Sequence, residues 1–147
     1  MTTYAVVATA TNICDNVIVW DDTLGPWEPP ANHYIVNIVG SDASIGWYYD
    51  PNTQIWTAPP TLVANFSPAP IFLGQATTLL WSTTNATNVV IDGQLYPAND
   101  SKGYTPTAAG KFSVNLTANG LAGSISYTAS VSVYATMAER DAAAVLV

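Results

Sequence analysis

Few residues in this sequence could do acid–base or nucleophilic chemistry, and their spacing limits what that chemistry could be. His33 is the single histidine, so there is one side chain whose ordinary protonation equilibrium lies near neutral pH. No serine sits in the Gly-x-Ser-x-Gly context that exposes a nucleophile on a sharp turn. His33 therefore reads as a strand-edge histidine with no special role. Paired carboxylates are the other route, since glycoside hydrolysis places one acid and one base or nucleophile across the scissile bond. Asp21 with Asp22, and Asp42 with Asp50, are the sets close in sequence. Turn chemistry explains all four more simply, because aspartate favours turn starts. Asp92, Asn99 and Asp100 lack the regular oxygen spacing of a Ca²⁺ loop. Cys14 is alone, which excludes an internal disulfide, and Ile13 and Asp15 beside it give no basic environment to activate the thiol. No catalytic residue, metal site or cofactor is expected.

Aromatic side chains are the stronger candidates for binding. Trp27, Trp47, Tyr48, Tyr49 and Trp56 lie in an N-terminal block that holds four of the five tryptophans. A flat ring can cover a pyranose face while neighbouring Asn or Asp side chains take the sugar hydroxyls. The same residue types fill small cores and subunit seams, where Trp and Tyr are enriched. Strand alternation puts Trp47 and Tyr49 on one face and Tyr48 on the other, so at least one of the three is exposed or at an interface. Protein is expected against these rings ahead of sugar.

The run from Ile45 to Pro60, which carries four of these five rings, divides the chain. Asp50-Pro51-Asn52-Thr53 suits a four-residue turn, with proline presetting φ at its second position and asparagine tolerated at its third. The flanks Trp47-Tyr48-Tyr49 and Ile55-Trp56-Thr57 are aromatic and β-branched, which predicts a hairpin ending at Pro59-Pro60. Before it, Tyr4–Ala10 and Val17–Trp20 read as a strand pair broken at Thr11-Asn12. Asp21 to Pro30 reads as an extended surface loop, because three prolines cannot donate to a sheet. His33–Val39 reads as a further strand with Tyr34, Val36 and Ile38 on one face.

After Pro60 the chain alternates between apolar and Ser/Thr/Asn positions. Thr77, Leu79 and Trp81 fall on one face of a strand, with Thr78, Leu80 and Ser82 opposite, and Val89 and Ile91 continue the inward set. Asp92-Gly93 is a strong turn signal, and Gln94 to Thr107 reads as irregular. Phe112, Val114, Leu116 and Ala118 alternate with Ser113, Asn115, Thr117 and Asn119. Ile125, Tyr127, Ala129, Val131 and Val133 repeat the device, so Asn119–Gly123 closes a second hairpin. Such a run of half-buried strands implies two sheets packed face to face. The tail from Thr136 has good helix propensity but is too short for an isolated helix, and its apolar end is expected to fray or to dock on a neighbouring subunit.

Composition narrows the partners. The chain has 147 residues, 49% hydrophobic and 9% charged, against about a quarter charged in a typical soluble domain. The net charge is −7, and Lys102, Lys111 and Arg140 are the only lysines and arginines. No basic patch can neutralise a run of phosphates, so nucleic acid is excluded as a partner. The same shortage argues against anionic membranes, and no apolar run approaches the ~20 residues that span a bilayer. Met1–Val7 lacks the basic and apolar regions of a signal peptide. Asn65, Asn85, Asn99 and Asn115 stand in Asn-x-Ser/Thr sequons, for which no glycosylation is expected. An N-terminal block this short, without disulfide or metal, is expected to need a neighbouring surface, and a homo-oligomer follows.

Residues 62–134 resemble the short immunoglobulin-like modules of bacterial surface and phage proteins. The likeness rests on Gly74-Gln75, Leu79-Leu80-Trp81-Ser82, Asn85-Ala86, Val89, Ile91-Asp92 and Thr105-Pro106-Thr107. Leu80 stands where that pattern has a polar outward residue, which points to a contact on its sheet. Residues 4–60 resemble small domains encoded near tail-fibre genes of tailed phages. The shared residues are Tyr4-Ala5-Val6, Asn16 to Asp21, Pro26 to Pro30, Ile45 to Asp50 and Ala58-Pro59. The resemblance implies an all-β protein with a small β-sheet domain at 1–60, an immunoglobulin-like sandwich at 61–135 and a tail at 136–147. It also implies a non-enzymatic component on the virion exterior, first in a tail fibre or baseplate, with other virion proteins, a trimer of itself and host surface glycans as partners. A capsid decoration protein or head fibre is the alternative, and a glycan-degrading enzyme the third. Trp27, Trp47, Tyr48, Tyr49, Trp56 and Leu80 are the contact candidates.

Overall fold

Side chains alternate with a period of two along most of this chain, and each such run forms a strand whose apolar set faces a core. The computed structural model describes residues 1–145, which are all-β apart from one short 3₁₀ turn and one C-terminal α-helix. Contacts divide the chain into two units, Met1–Pro59 with Gly120–Gly123, and Pro60–Asn119 with Ser124–Val147.

In the first unit β1 (Thr2–Ala8) lies between β2 (Cys14–Trp20) and β3 (His33–Asn37), antiparallel to both. The central place suits β1 because Ala5 and Val7 are buried on one face and Val6 on the other. Asn12 reverses the chain at φ 57°, in the left-handed region that asparagine tolerates. Val6 opposes Asn16 while Val7 opposes Cys14, so Asp15 is an extra residue forming a β-bulge.

The 3₁₀ turn Asp22–Leu24 is capped by Asp21, whose Oδ1 accepts from the Thr23 amide at 3.0 Å and the Thr23 hydroxyl at 2.7 Å. Asp22 in turn accepts from the Tyr4 hydroxyl at 2.8 Å and from the Thr2 hydroxyl. Trp20 Nε1 donates to the Gly25 carbonyl at 2.8 Å. These bonds tie the proline-rich loop to the sheet.

A hairpin of β4 (Tyr48–Asp50) and β5 (Ile55–Thr57) completes the unit. Its turn differs from expectation. The loop comprises Pro51 to Gln54, closed by the Gln54 amide donating to the Asp50 carbonyl at 2.7 Å, and the left-handed residue is Gln54 at φ 59°, with Asn52 outside that region. The Asp50 carboxylate accepts from the Asn52 amide at 2.9 Å and pins the start of the loop, which leaves its last position to make the reversal. Backbone bonds join the hairpin to the sheet: Cys14 donates to the Trp47 carbonyl at 2.9 Å, and Tyr49 donates to the Asn12 carbonyl at 2.8 Å.

The second unit contains β6 (Thr61–Ser67), β7 (Ile71–Phe72), β8 (Thr77–Thr84), β9 (Asn88–Ile91), β10 (Gln94–Tyr96), β11 (Asp100–Tyr104), β12 (Gly110–Gly120) and β13 (Gly123–Tyr134). One sheet runs β11-β8-β6 and the other β10-β9-β12-β13-β7, with β7 parallel to β13. Leu62, Phe66, Leu79 and Trp81 from the first sheet and Ile91, Leu116, Val131 and Val133 from the second belong to one buried cluster. The segment from Gln94, expected to be irregular, instead supplies the outermost strands of both sheets, because Asp92 and Gly93 turn β9 straight into β10. A second difference lies in β13. Ile125 and Tyr127, expected inward, are 41% and 44% exposed, and only Ala129, Val131 and Val133 of that strand are buried in the core.

The tail forms α1 (Met137–Val145). Its start is fixed by the Thr136 hydroxyl, which accepts from the Glu139 amide at 3.1 Å, and by the Glu139 carboxylate, which accepts from the Ala135 amide at 2.8 Å. This capping pair supplies the nucleation that propensity alone lacks. The expected docking of the apolar end falls in part on Leu146 and Val147, outside the described residues. Among the described residues no helix is long and apolar enough to cross a membrane.

Leu79 is fully buried whereas Val63, on the outer face of the same sheet, is 68% exposed. Leu79→Ala is expected to cost about 2–5 kcal/mol by urea denaturation, and Val63→Ala to stay within about 0.5 kcal/mol.

Candidate functional site

Tyr34, Trp47, Tyr49 and Trp56 of the first unit converge on one core. Tyr49 and Trp56 are directly paired across β4 and β5, with ring centroids 4.8 Å apart, and Tyr34 lies 6.3 Å from Tyr49. Tyr49 is 9% exposed and packs with Ala5, Val7, Cys14 and Ile38, while Trp47 and Trp56 are half-buried against the same cluster. The Tyr49 ring is therefore committed inward and is not a surface contact. Trp47 and Trp56 keep part of each ring at the surface, as do Tyr48 and, in the proline-rich loop, Trp27. Leu80 stands apart in the second unit. It is 43% exposed between buried Leu79 and Trp81, pairs with Asn65, and has exposed Val63 at the diagonal position on β6.

Most of the residues weighed for catalysis are engaged by their neighbours, while Asp42 is exposed. Asp15, aimed by its bulge, places Oδ2 2.8 Å from His33 Nε2, and His33 Nδ1 lies 2.9 Å from the Ala31 carbonyl. Both partners are acceptors, so the doubly protonated ring satisfies both. The Ala31 carbonyl first and Asp15 second raise the His33 pKa. An imidazole occupied at both nitrogens has none left for a substrate proton. Asp22 is held below the ordinary carboxylate pKa by the Thr2 and Tyr4 hydroxyls, and Asp50 by the Asn52 amide. A glycosidase acid needs the opposite shift. Burial pushes the Cys14 thiol up, away from the reactive thiolate.

Sequence reasoning missed a row of rings in the second unit. Lys102 Nζ lies 5.2 Å from the Tyr96 ring centre and 5.1 Å from that of Tyr104. The row extends from Tyr96 to Trp81 at 5.8 Å, and from Tyr104 to Phe112 at 5.4 Å and Phe66 at 6.0 Å. Lys102 and Tyr104 oppose Leu79 and Thr77, both buried, so these two side chains of the edge strand β11 lie on the core side of the sheet. Beyond Tyr104 the β11–β12 connection borders a cavity of about 300 Å³, whose walls include Tyr104, Thr105, Pro106, Thr107, Lys111 and Phe112. The alternation Lys102-Gly103-Tyr104 after a turn was the available signal. Its shortness hid it.

Comparison with protein-family models and with curated proteins returns no match for this chain. The site is therefore defined by its own geometry: a partly exposed aromatic surface on the first unit, and a lysine-bearing aromatic cavity on the second.

Because the folded state raises the His33 pKa, the linked stability is fully present below about pH 6.5 and is lost as pH rises through the folded value. Urea midpoints measured from pH 5 to 9 should fall across that window, and Asp15→Asn should flatten the fall. Lys102→Ala is expected to cost about 1–2 kcal/mol through its two ring contacts. Lys102→Met, which keeps the apolar stem, should recover part of that loss in the same denaturation assay.

Proposed function

We propose that this chain is a non-enzymatic structural and adhesion protein on the exterior of a tailed-phage virion, a component of a tail fibre or baseplate. The first unit serves assembly, burying the remaining surface of Trp47, Tyr48 and Trp56 against other virion proteins and copies of itself. The second is an immunoglobulin-like module that makes weak, repeated contact with host-surface glycans. The resemblances of residues 4–60 and 62–134 supply the virion setting.

The observation that carries the adhesive role is the exposed face of β12 and β13. Ser113 bonds Ser130 at 3.0 Å, Thr128 donates to Asn115 at 2.6 Å, Thr117 bonds Ser126 at 2.9 Å and Ser124 donates to Asn119 at 2.7 Å. This surface is polar, with Lys111 at the start of β12 its one charged side chain, so it can approach an anionic or neutral cell envelope with little repulsion. Affinity from such a surface is small per copy and grows through multivalency, by about 10²–10⁴-fold when several copies engage together. The non-enzymatic reading is supported by the occupied nitrogens of His33 and the lowered carboxyl pKa values of Asp22 and Asp50.

Two measurements test this. Sedimentation should give a homo-oligomer, with a trimer expected, and a monomer at all concentrations would remove the assembly role. Virion density with the chain located should place it on a tail fibre or baseplate. Density on capsomers would replace that placement with capsid decoration, and density on no exterior surface would end the attachment reading.

A further inference from the structure

We propose that the cavity beside the β11–β12 connection binds an anionic hexose unit, a hexuronate residue of an acidic polysaccharide. This rests on the attachment reading above and adds to its exposed β12–β13 face a second contact with a stated ligand class.

Volume sets the scale. About 300 Å³ is at the lower end of small-molecule sites, which suits one sugar unit ahead of a nucleotide or an extended peptide. The walls set the chemistry. The Tyr104 and Phe112 rings and Pro106 offer apolar surface to the C–H face of a pyranose. Thr105 and Thr107 carry hydroxyls that can both donate to and accept from ring hydroxyls. Lys111 is the only ionised side chain in the lining.

That last point is the discriminating one. The chain carries ten acids against three lysines and arginines, yet no carboxylate lines this cavity and one of the three cations does. Local charge is inverted relative to the whole protein. An ammonium matches a single carboxylate through a charge-assisted hydrogen bond, which a neutral hexose cannot form. A cationic sugar would meet Lys111 with no acid to offset the repulsion.

The test is an amide NMR titration of the full-length chain with a galacturonate trimer and, in parallel, a neutral galactose trimer. Saturable shifts confined to Thr105, Thr107, Lys111 and Phe112 are expected with the acidic trimer, with a dissociation constant on the order of 1 mM. Lys111→Gln should weaken that binding about tenfold while Lys111→Arg preserves it. Lys111 is exposed, and the amide spectrum of each variant reports directly that it is folded. Equal binding of the neutral trimer overturns the ligand class, shifts elsewhere on the chain overturn the site, and no shift with the acidic trimer overturns both. None of these touches the attachment reading, which is decided by where the chain lies on the virion.

Discussion

Three cations cannot neutralise ten acids, so ion pairing cannot hold this surface together and the polar groups satisfy one another through hydroxyls, amides and turn amides. The outer ladder of β12 and β13 is built this way, and Asn119 extends it to β9 by donating to Asn88 at 2.9 Å. In the first unit Asp21, Asp22 and Asp50 spend their carboxylates on a 3₁₀ cap, two hydroxyls and a hairpin turn. Neutral hydrogen bonds of this kind contribute about 1 kcal/mol each and, unlike exposed ion pairs, are hardly screened by salt. The sheets can therefore present long polar faces without the charged residues that usually keep such faces apart.

Where period-two alternation ran cleanly, the sequence was enough to orient the strands. Thr77, Leu79 and Trp81 are all buried, as are Val89, Ile91, Val114, Leu116 and Ala118. Tyr34, Val36 and Ile38 likewise share the core of the first unit. Alternation describes only which side of a strand a residue faces, and it is silent about whether another layer covers that side. Ile125 and Tyr127 obey the alternation of β13 and are still exposed, although Leu116 and Ala118 on the neighbouring β12 are fully buried. The short strands β10 and β11 escaped notice for the converse reason. Three to five residues are too few for a period to stand out, and Lys102 in an inward position contradicts the apolar pattern being sought.

The candidate site was legible in kind and less so in place. Trp47, Tyr49 and Trp56 read from the sequence as rings for contact, but a sheet as small as β2-β1-β3 has few bulky aliphatic side chains with which to build a core. Ala5, Val7 and Cys14 are short, so Tyr49 and Trp56 must reach in to fill the space, and their tilted pairing at 4.8 Å follows from that need. What remains for an external partner is the uncovered part of Trp47, Tyr48 and Trp56, together with Trp27. The bulge at Asp15 had no sequence signal. It arises because the pairing with β1 slips by one residue, and it determines what His33 can do.

Charge is distributed unevenly between the two units. Asp15, Asp21, Asp22, Glu28, Asp42 and Asp50 all belong to the first unit, which contains no lysine or arginine. Its histidine, His33, is already directed at Asp15 and the Ala31 carbonyl. An anionic ligand approaching that unit would meet an excess of like charge. Lys102, Lys111 and Arg140 all lie in the second unit. Lys102 is held between two tyrosine rings, and Arg140 is engaged by Asp141 at 3.0 Å and lies over the Phe72 ring at 5.4 Å. Lys111 is left as the cation that can turn toward a ligand, and it is the one that borders the cavity.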